Sequence, residues 1–337
     1  MPQPPVTVLM PVHNGERYLK EAIESILAQS FADFEFLVID DGSTDRSRQI
    51  AESYGGDPRI VLVANAENRG TVHVLNQGIA MASGRYIARM DADDISLPER
   101  LERQVRFMDE HPDVGVSGTG MRLIKNDKLR NTRTHTASDP ELKIQLLFSP
   151  CFFHPTVIIR AELAKAHPYP DNLVYTQDYN YWTKLAPLTS FANLSEVLLH
   201  FREHEGQIST RKADLQITNA RALRAEYLKR LAGAASDEQL AIHHAIAENR
   251  NDIDLEKAKA WLEKLVGMND TAKLFDAEIF RREMARRWWL VCRKNTRHGR
   301  YALQTYRSSF LQPLYRPDAI KYLKFWLRCL ATSEKIS

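Results

Sequence analysis

Through its first hundred positions the chain alternates short apolar, β-branched runs with amphipathic stretches. Val6–Pro11 (VTVLMP), Phe34–Ile39 (FEFLVI), Arg59–Ala64 and Arg85–Met90 (RYIARM) read as buried strands. Between them, Leu19, Ala22, Ile23, Ile26 and Leu27 form a helical stripe within Glu16–Ser30. Helices are also expected at Thr44–Tyr54 and Thr71–Ala82, the second with Gly84 as its cap. This alternation predicts a parallel α/β sheet. Pro98 then opens a helix through Asp109. Val114–Thr119 and Met121–Ile124 read as strands, and the polar stretch Lys125–Asp139 as a mobile loop. Helix Pro140–Leu147, strand Thr156–Arg160, the stretch Tyr175–Leu185 and strand Ser195–Phe201 complete a body of residues 1–210. Residues 211–337 read as a helical C-terminal region.

Length and composition narrow the class. The chain has 337 residues, which fits one α/β domain of roughly 200–250 residues plus an appendage. With 44% hydrophobic and 26% charged residues, wholesale disorder is excluded. No apolar run approaches the roughly 18 residues of a spanning helix, and the first residues lack signal-peptide character. Cys151, Cys292 and Cys329 are too few and too far apart for a disulfide framework or a zinc site, so a reducing cytoplasm is expected.

The net charge of +3 conceals a split. Residues 281–330 hold 13 Lys/Arg against Glu283 and Asp318, a local +11, which leaves −8 for the rest. Nine of the 30 aromatic residues lie in the same stretch, with Trp288 and Trp289 among Arg286, Arg287 and Arg293. Within Ala319–Leu330, Lys321, Lys324 and Arg328 share one helical face, and Ile320, Leu323, Trp326, Leu327 and Leu330 another. Two readings stand: contact with an anionic inner-membrane surface, or packing of the apolar stripe on the body or on a second protomer. No nucleic-acid motif accompanies the charge.

In open parallel sheets ligands bind beyond the carboxyl ends of the strands, where strand order reverses. Here those ends carry His13-Asn14, Asp40-Asp41, the Asn68-Arg69-Gly70 loop and Asp91-Ala92-Asp93. Neither G-x-G-x-x-G nor G-x-x-x-x-G-K-[ST] follows the first strand, which argues against a dinucleotide site and a P-loop. Asp91 and Asp93, two apart on an extended segment, would point to the same side and suit Mg²⁺ or Mn²⁺ beside substrate phosphates. The rival reading is an Asp-rich turn that caps the helix at Pro98.

The ordered set Pro11-Val12-His13-Asn14, Asp40 through Asp45, Asn68-Arg69-Gly70, Asn76 and Arg89 through Asp94 resembles a family-2 glycosyltransferase with the GT-A fold, over about residues 5–210. The resemblance implies an α/β Rossmann-like, mostly parallel sheet with flanking helices. It implies an inverting, metal-dependent transfer of a sugar from a nucleoside diphosphate, UDP first, to a hydroxyl of a growing surface glycan or lipid-linked saccharide. Such an enzyme would be cytoplasmic or peripheral on the inner face of the membrane, and a homo-oligomer is compatible with it.

By the same resemblance Pro11, His13, Asn14, Asp41, Asn68, Arg69, Asn76, Asp91, Ala92 and Arg202 are candidates for nucleotide-sugar binding. Asp93, Asp91 and His204 are candidates for the metal, Mn²⁺ or Mg²⁺. Asp178 stands where the family carries its base, although Gln177 replaces the usual Glu. His154 and Gln177 are candidates on the acceptor side. Each has a structural rival: Asp40 or Asp41 as a helix cap, Arg69 as a solvated loop charge, Asn76 as a loop buttress, Asp178 as an N-cap, His154 as a hydrogen-bonded core residue, and 202–209 as a charged loop. A sugar-nucleotide nucleotidyltransferase would want a Gly-rich basic loop after the first strand, which His13-Asn14-Gly15-Glu16 does not supply. A non-catalytic glycan-binding scaffold would be marked by lost carboxylates, and Asp41, Asp91, Asp93 and Asp178 are all present.

Overall fold

The computed structural model describes residues 4–135, 138–171, 175–204 and 213–333. It divides into two compact units, Met1–Leu142 with Pro150–Asn219, and Lys143–Ser149 with Ala220–Ser337.

The first unit opens with β1 (Val6–Val12), α1 (Leu19–Leu27), β2 (Phe34–Asp41), α2 (Ser47–Glu52), β3 (Ile60–Asn65), α3 (Thr71–Met81) and β4 (Tyr86–Arg89). It continues through β5 (Ile95–Ser96), α4 (Arg100–Glu110), β6 (Val114–Lys125), β7 (Lys128–Arg133), α5 (Asp139–Gln145), β8 (Ile158–Arg160), α6 (Ala161–Ala166), α7 (Gln177–Leu185) and β9 (Ser190–Glu203). The boundary between the units passes through α5. One sheet runs β3-β2-β1-β4-β8-β6-β9-β5, with β7 added on β6. Strands β3, β2, β1 and β4 are mutually parallel, as are β6 and β9, while β8 lies antiparallel to both β4 and β6. Val6, Val8, Met10 and Val12 of β1 are buried together with Leu19, Ala22, Ile23 and Ile26 of α1, so the i, i+3, i+4, i+7 stripe closes one face of the sheet.

Three sequence expectations change. Lys125–Asp139 is not a loop throughout: Asn126 and Asp127, both at positive φ, make a tight hairpin turn, and β7 pairs with β6. All six β7 residues are exposed, so the stretch is polar because it is a two-sided wet edge strand. The two strands expected at 114–124 are one, β6, with register shifts around Gly120. Gly84 does not cap α3, which ends at Met81 with Ala82 in the cap position. It is a point of close approach, where a Cβ would stand 2.4 Å from the Thr7 amide nitrogen.

The second unit is helical. Helix α8 (Ala213–Ala232) runs into it from the first unit. It is followed by α9 (Asp237–Ala247), α10 (Leu255–Ala272), α11 (Ala277–Lys294), α12 (Arg300–Ser308) and α13 (Ala319–Ser333). Ser236 and Gln239 form a reciprocal capping box, and Asp254 and Asp276 cap α10 and α11. Trp288 and Trp289 are buried; Trp289 packs with Tyr306 and Phe325, and Trp288 Nε1 donates to the Tyr306 carbonyl at 3.3 Å, so of the two readings of this stretch these tryptophans take the packed one. Arg286 and Arg287 both bond Glu283, and Arg287 stacks over Phe148 at 4.2 Å. Among the described residues no helix is long and apolar enough to cross a membrane.

Candidate active site

Strand order reverses at β1, with β2 on one side and β4 on the other, and the carboxyl ends of these strands converge there. Pro11 is half-buried within β1, and His13 and Asn14 follow it exposed. Asn14 adopts a left-handed backbone (φ 50°), and its Oδ1 accepts the Thr44 amide at 2.8 Å while its own amide donates to Ser43 Oγ at 2.9 Å. The His13 ring lies 2.9 Å from the Asp41 carbonyl oxygen. The loops after β1 and β2 are therefore knotted together.

Asp41 is buried. Its carboxylate accepts from the Gly70 amide at 2.8 Å, the Arg69 amide at 3.1 Å and Asn65 Nδ2 at 2.9 Å. It thus shapes the Asn68-Arg69-Gly70 loop and does not cap α2, whose first amide goes to Asp45. The side chains of Asn68 and Arg69 are exposed. Asn76, on α3, takes the buttressing place: its amide donates to the Tyr169 carbonyl at 2.9 Å and accepts the Tyr169 N–H at 2.8 Å.

Beyond β4 the chain turns rather than extending, and the turn gathers one carboxylate more than the i, i+2 argument expected. Oxygens of Asp91, Asp93 and Asp94 lie within 4.8 Å of one another. Ala92 is half-buried between them. Asp91 and Asp93 keep 28% and 27% of their side chains open to solvent, whereas Asp94 is buried. Burial, then the charges of Asp93 and Asp91, hold the Asp94 carboxyl well above its ordinary range. Burial raises Asp91 too, against the opposing pull of Arg89.

Asp91 is paired with the buried Arg89. Burial works against the Arg89 charge, yet Asp91 holds the guanidinium above its usual range. Beneath them Arg100, fully buried and lowered by that burial to about 9, donates to the Arg89 carbonyl at 2.6 Å. Arg202 has a supporting place. Its amide donates to Asp94 Oδ1 at 2.9 Å and its Nε to the Asp93 carbonyl at 3.0 Å, while its fork reaches Glu21 and Asp127 and stacks over Tyr18. Two residues on, His204 Nε2 stands 2.9 Å from Asp93 Oδ2. The rest of the stretch 202–209, Ser209 included, lies outside the described residues.

The donor set fits a hard divalent cation. Three carboxylates converge, and the buried Asp94 Oδ2 has no hydrogen-bond donor.

Asp178 lies in the first turn of α7, behind Thr176 at the N-cap position. Burial raises its carboxyl, against the Tyr179 amide and the Arg89 charge. Gln177, half-buried, opens the same helix. His154 is buried, with Nε2 2.8 Å from Tyr169 Oη, and burial followed by the Arg89 charge holds it neutral. This is the geometry of a hydrogen-bonded core histidine. Sequence reasoning missed Asp94, Arg89 and Tyr169. The third carboxylate in Asp91-Ala92-Asp93-Asp94 was a visible signal, but Arg89 stood in the resembling run without a role of its own, and nothing local marked Tyr169.

The family model for glycosyl transferase family 2 matches residues 7–165. The putative glycosyltransferase EpsE of Bacillus subtilis (strain 168) is 36% identical over 224 residues, which span 64% of this chain and 80% of that protein.

The chain belongs to glycosyl transferase family 2.

This family-2 glycosyltransferase is also similar to the O-antigen biosynthesis glycosyltransferase WbnJ of Escherichia coli, at 32% identity over 216 residues, 62% of this chain and 83% of that protein. Its fold is similar to that of S. aureus TarS 1-349 in complex with UDP-GlcNAc, with a TM-score of 0.57 at 20% identity over 98% of this chain and 92% of that one. The match covers the GT-A architecture expected from the sequence.

Proposed function

We propose that the first unit transfers a sugar, with inversion, from a nucleoside diphosphate donor carrying UDP to a hydroxyl of a growing bacterial surface glycan or lipid-linked saccharide. The observation that carries this reading is the convergence of Asp91, Asp93 and Asp94 at the switch point of the sheet, with Asp178 in the same Arg89 field. The UDP-GlcNAc complex of TarS and the O-antigen role in the name of WbnJ support the donor and acceptor classes. Asp91, Asp93 and Asp94, with His204 beside Asp93, would hold Mn²⁺ or Mg²⁺. Such an ion neutralises a diphosphate and stabilises charge on it as a leaving group.

The chain's own residues do the rest. Asp41 fixes the loop 68–70 so that the exposed Arg69 fork stands ready for a diphosphate, and His13 and Asn14 tie the loop after β1 to the loop after β2 beside it. Asp178 accepts the proton of the acceptor hydroxyl as its oxygen bonds the anomeric carbon and the nucleoside diphosphate departs. Gln177 beside it faces the acceptor. In this reading Arg202 and Asn76 position the loops and His154 stiffens the floor through Tyr169.

The test is a thermal-shift panel of UDP, GDP, CDP and dTDP, each with Mn²⁺, Mg²⁺ or EDTA. A ligand at about 100 times its Kd adds roughly 2.7 kcal/mol. A UDP shift that requires metal supports the reading. Metal-independent shifts refute the metal assignment, and a preference for another nucleotide refutes UDP.

A further inference from the structure

We propose that the outer face of α13 is a docking surface for an anionic lipid membrane. It is a surface of the second unit alone and does not depend on the donor-site reading.

Among the described residues, six of the twelve exposed large apolar side chains fall between Tyr301 and Leu327. Three of them, Ile320, Leu323 and Leu327, are 64%, 52% and 51% exposed and recur at i, i+3 and i+7, so they form one stripe along α13. The opposite side of this helix is already used. Phe325 and Cys329 are buried, and Phe325 and Tyr322 pack on Trp289 and Tyr306. The helix therefore carries two apolar faces, one spent on its own core and one left open.

Lys321, Lys324 and Arg328 are exposed at the same i, i+3, i+7 spacing, one position along from the apolar stripe. An apolar stripe bordered by a basic one is the arrangement by which a helix lies in a headgroup layer, stripe inward and cations at the phosphates. The surrounding charge has the matching sign, +11 over residues 281–330.

Charge also argues against a second copy as the occupant. Ala319–Thr332 contains no carboxylate, and Asp318 accepts the Ile320 and Lys321 amides at 3.1 and 3.0 Å. A two-fold pairing of this face would set its cations against one another with no anion on the helix to offset them.

The full chain, sedimented with phosphatidylcholine vesicles containing phosphatidylglycerol, is expected to bind in a salt-sensitive manner and to leave pure phosphatidylcholine vesicles in the supernatant. Lys321→Gln/Lys324→Gln/Arg328→Gln should weaken partitioning roughly 100-fold, from about tenfold or less per cation. Ile320→Ser/Leu323→Ser/Leu327→Ser should abolish it. Both variants should retain the wild-type melting midpoint, because the altered side chains are exposed. Equal binding to both vesicle types, no binding to either, or a dimer that the serine variant dissociates while vesicle binding is unchanged would overturn the proposal.

Discussion

His204 Nε2 lies 2.9 Å from Asp93 Oδ2 although 111 residues separate them. The meeting is built by β9, which runs parallel to β6 as far as Glu203, and by Arg202, whose amide and Nε hold Asp94 and the Asp93 carbonyl. An imidazole beside a carboxylate either joins the cation or fixes the carboxylate that does.

His204→Ala should therefore raise the Mn²⁺ concentration that gives half of the UDP-dependent thermal shift by about 10–100-fold. Asp93→Ala should remove the metal dependence altogether. A titration with wild-type and both variant proteins checks this. An unchanged midpoint in His204→Ala would confine the histidine to its hydrogen bond.

Burial raises the Asp178 carboxyl in the folded chain, and this has two consequences. As a base it must be ionised, so the acid limb of kcat/KM should lie above the ordinary carboxylate range. For stability the sign is the reverse of the usual carboxylate case. A raised folded pKa favours the protonated fold, so its contribution is complete below the unfolded value near 3.9 and is lost as pH rises through the folded one.

Asp178→Asn should then reduce transfer by about 10²–10⁴-fold while leaving UDP affinity unchanged. It should also raise the melting midpoint at pH 7, by about 2–4 °C per kcal/mol recovered. Near-normal turnover in this variant would assign the base elsewhere. A midpoint that falls at pH 7 would contradict the direction of the shift.

Much of the first unit was legible because its signals are local. The β1 run VTVLMP and the α1 stripe each declare their period, and the polar residues after β1, β2 and β4 stand at strand ends where any parallel sheet presents them. The β6–β7 hairpin was not legible as strand because residues wet on both faces lack the period-2 alternation. Asp94 escaped because an extended backbone was assumed, and only the turn brings it beside Asp91 and Asp93. Trp288 and Trp289 stayed open between two readings for a different reason: composition reports that aromatic and basic residues are neighbours in sequence, not which of them face inward. Asn76 and Tyr169 are 93 residues apart, and no local pattern announces such a pair.

Gly42 is a sharper case of backbone demand. It sits at φ 64° directly after Asp41, and a Cβ there would lie 2.5 Å from the Glu67 carbonyl carbon. Gly42→Ala combines left-handed strain with a collision against backbone that Asp41 holds in place. We expect a loss of about 2 kcal/mol or more in urea unfolding, together with a weaker UDP shift. Wild-type stability would mean that the 67–70 loop yields freely.

Asn76 separates a buttress from a ligand. Its amide spends one donor and one acceptor on the Tyr169 backbone, at 2.9 and 2.8 Å, and Tyr169 in turn meets His154 at 2.8 Å and stacks on Tyr181 at 3.9 Å. Asn76→Ala removes two bonds of about 1 kcal/mol each and leaves a buried N–H and C=O without these partners, so urea unfolding should show a loss of about 2–3 kcal/mol. Asn76→Asp keeps the acceptor but sets a carboxylate oxygen against the Tyr169 carbonyl, and at pH 7 should cost at least as much. If the residue only buttresses, UDP affinity measured by titration below the unfolding range stays at the wild-type value in both variants. A drop in UDP affinity with stability intact would instead make Asn76 a contact of the nucleotide sugar, and the Tyr169 clamp would then have to open on binding.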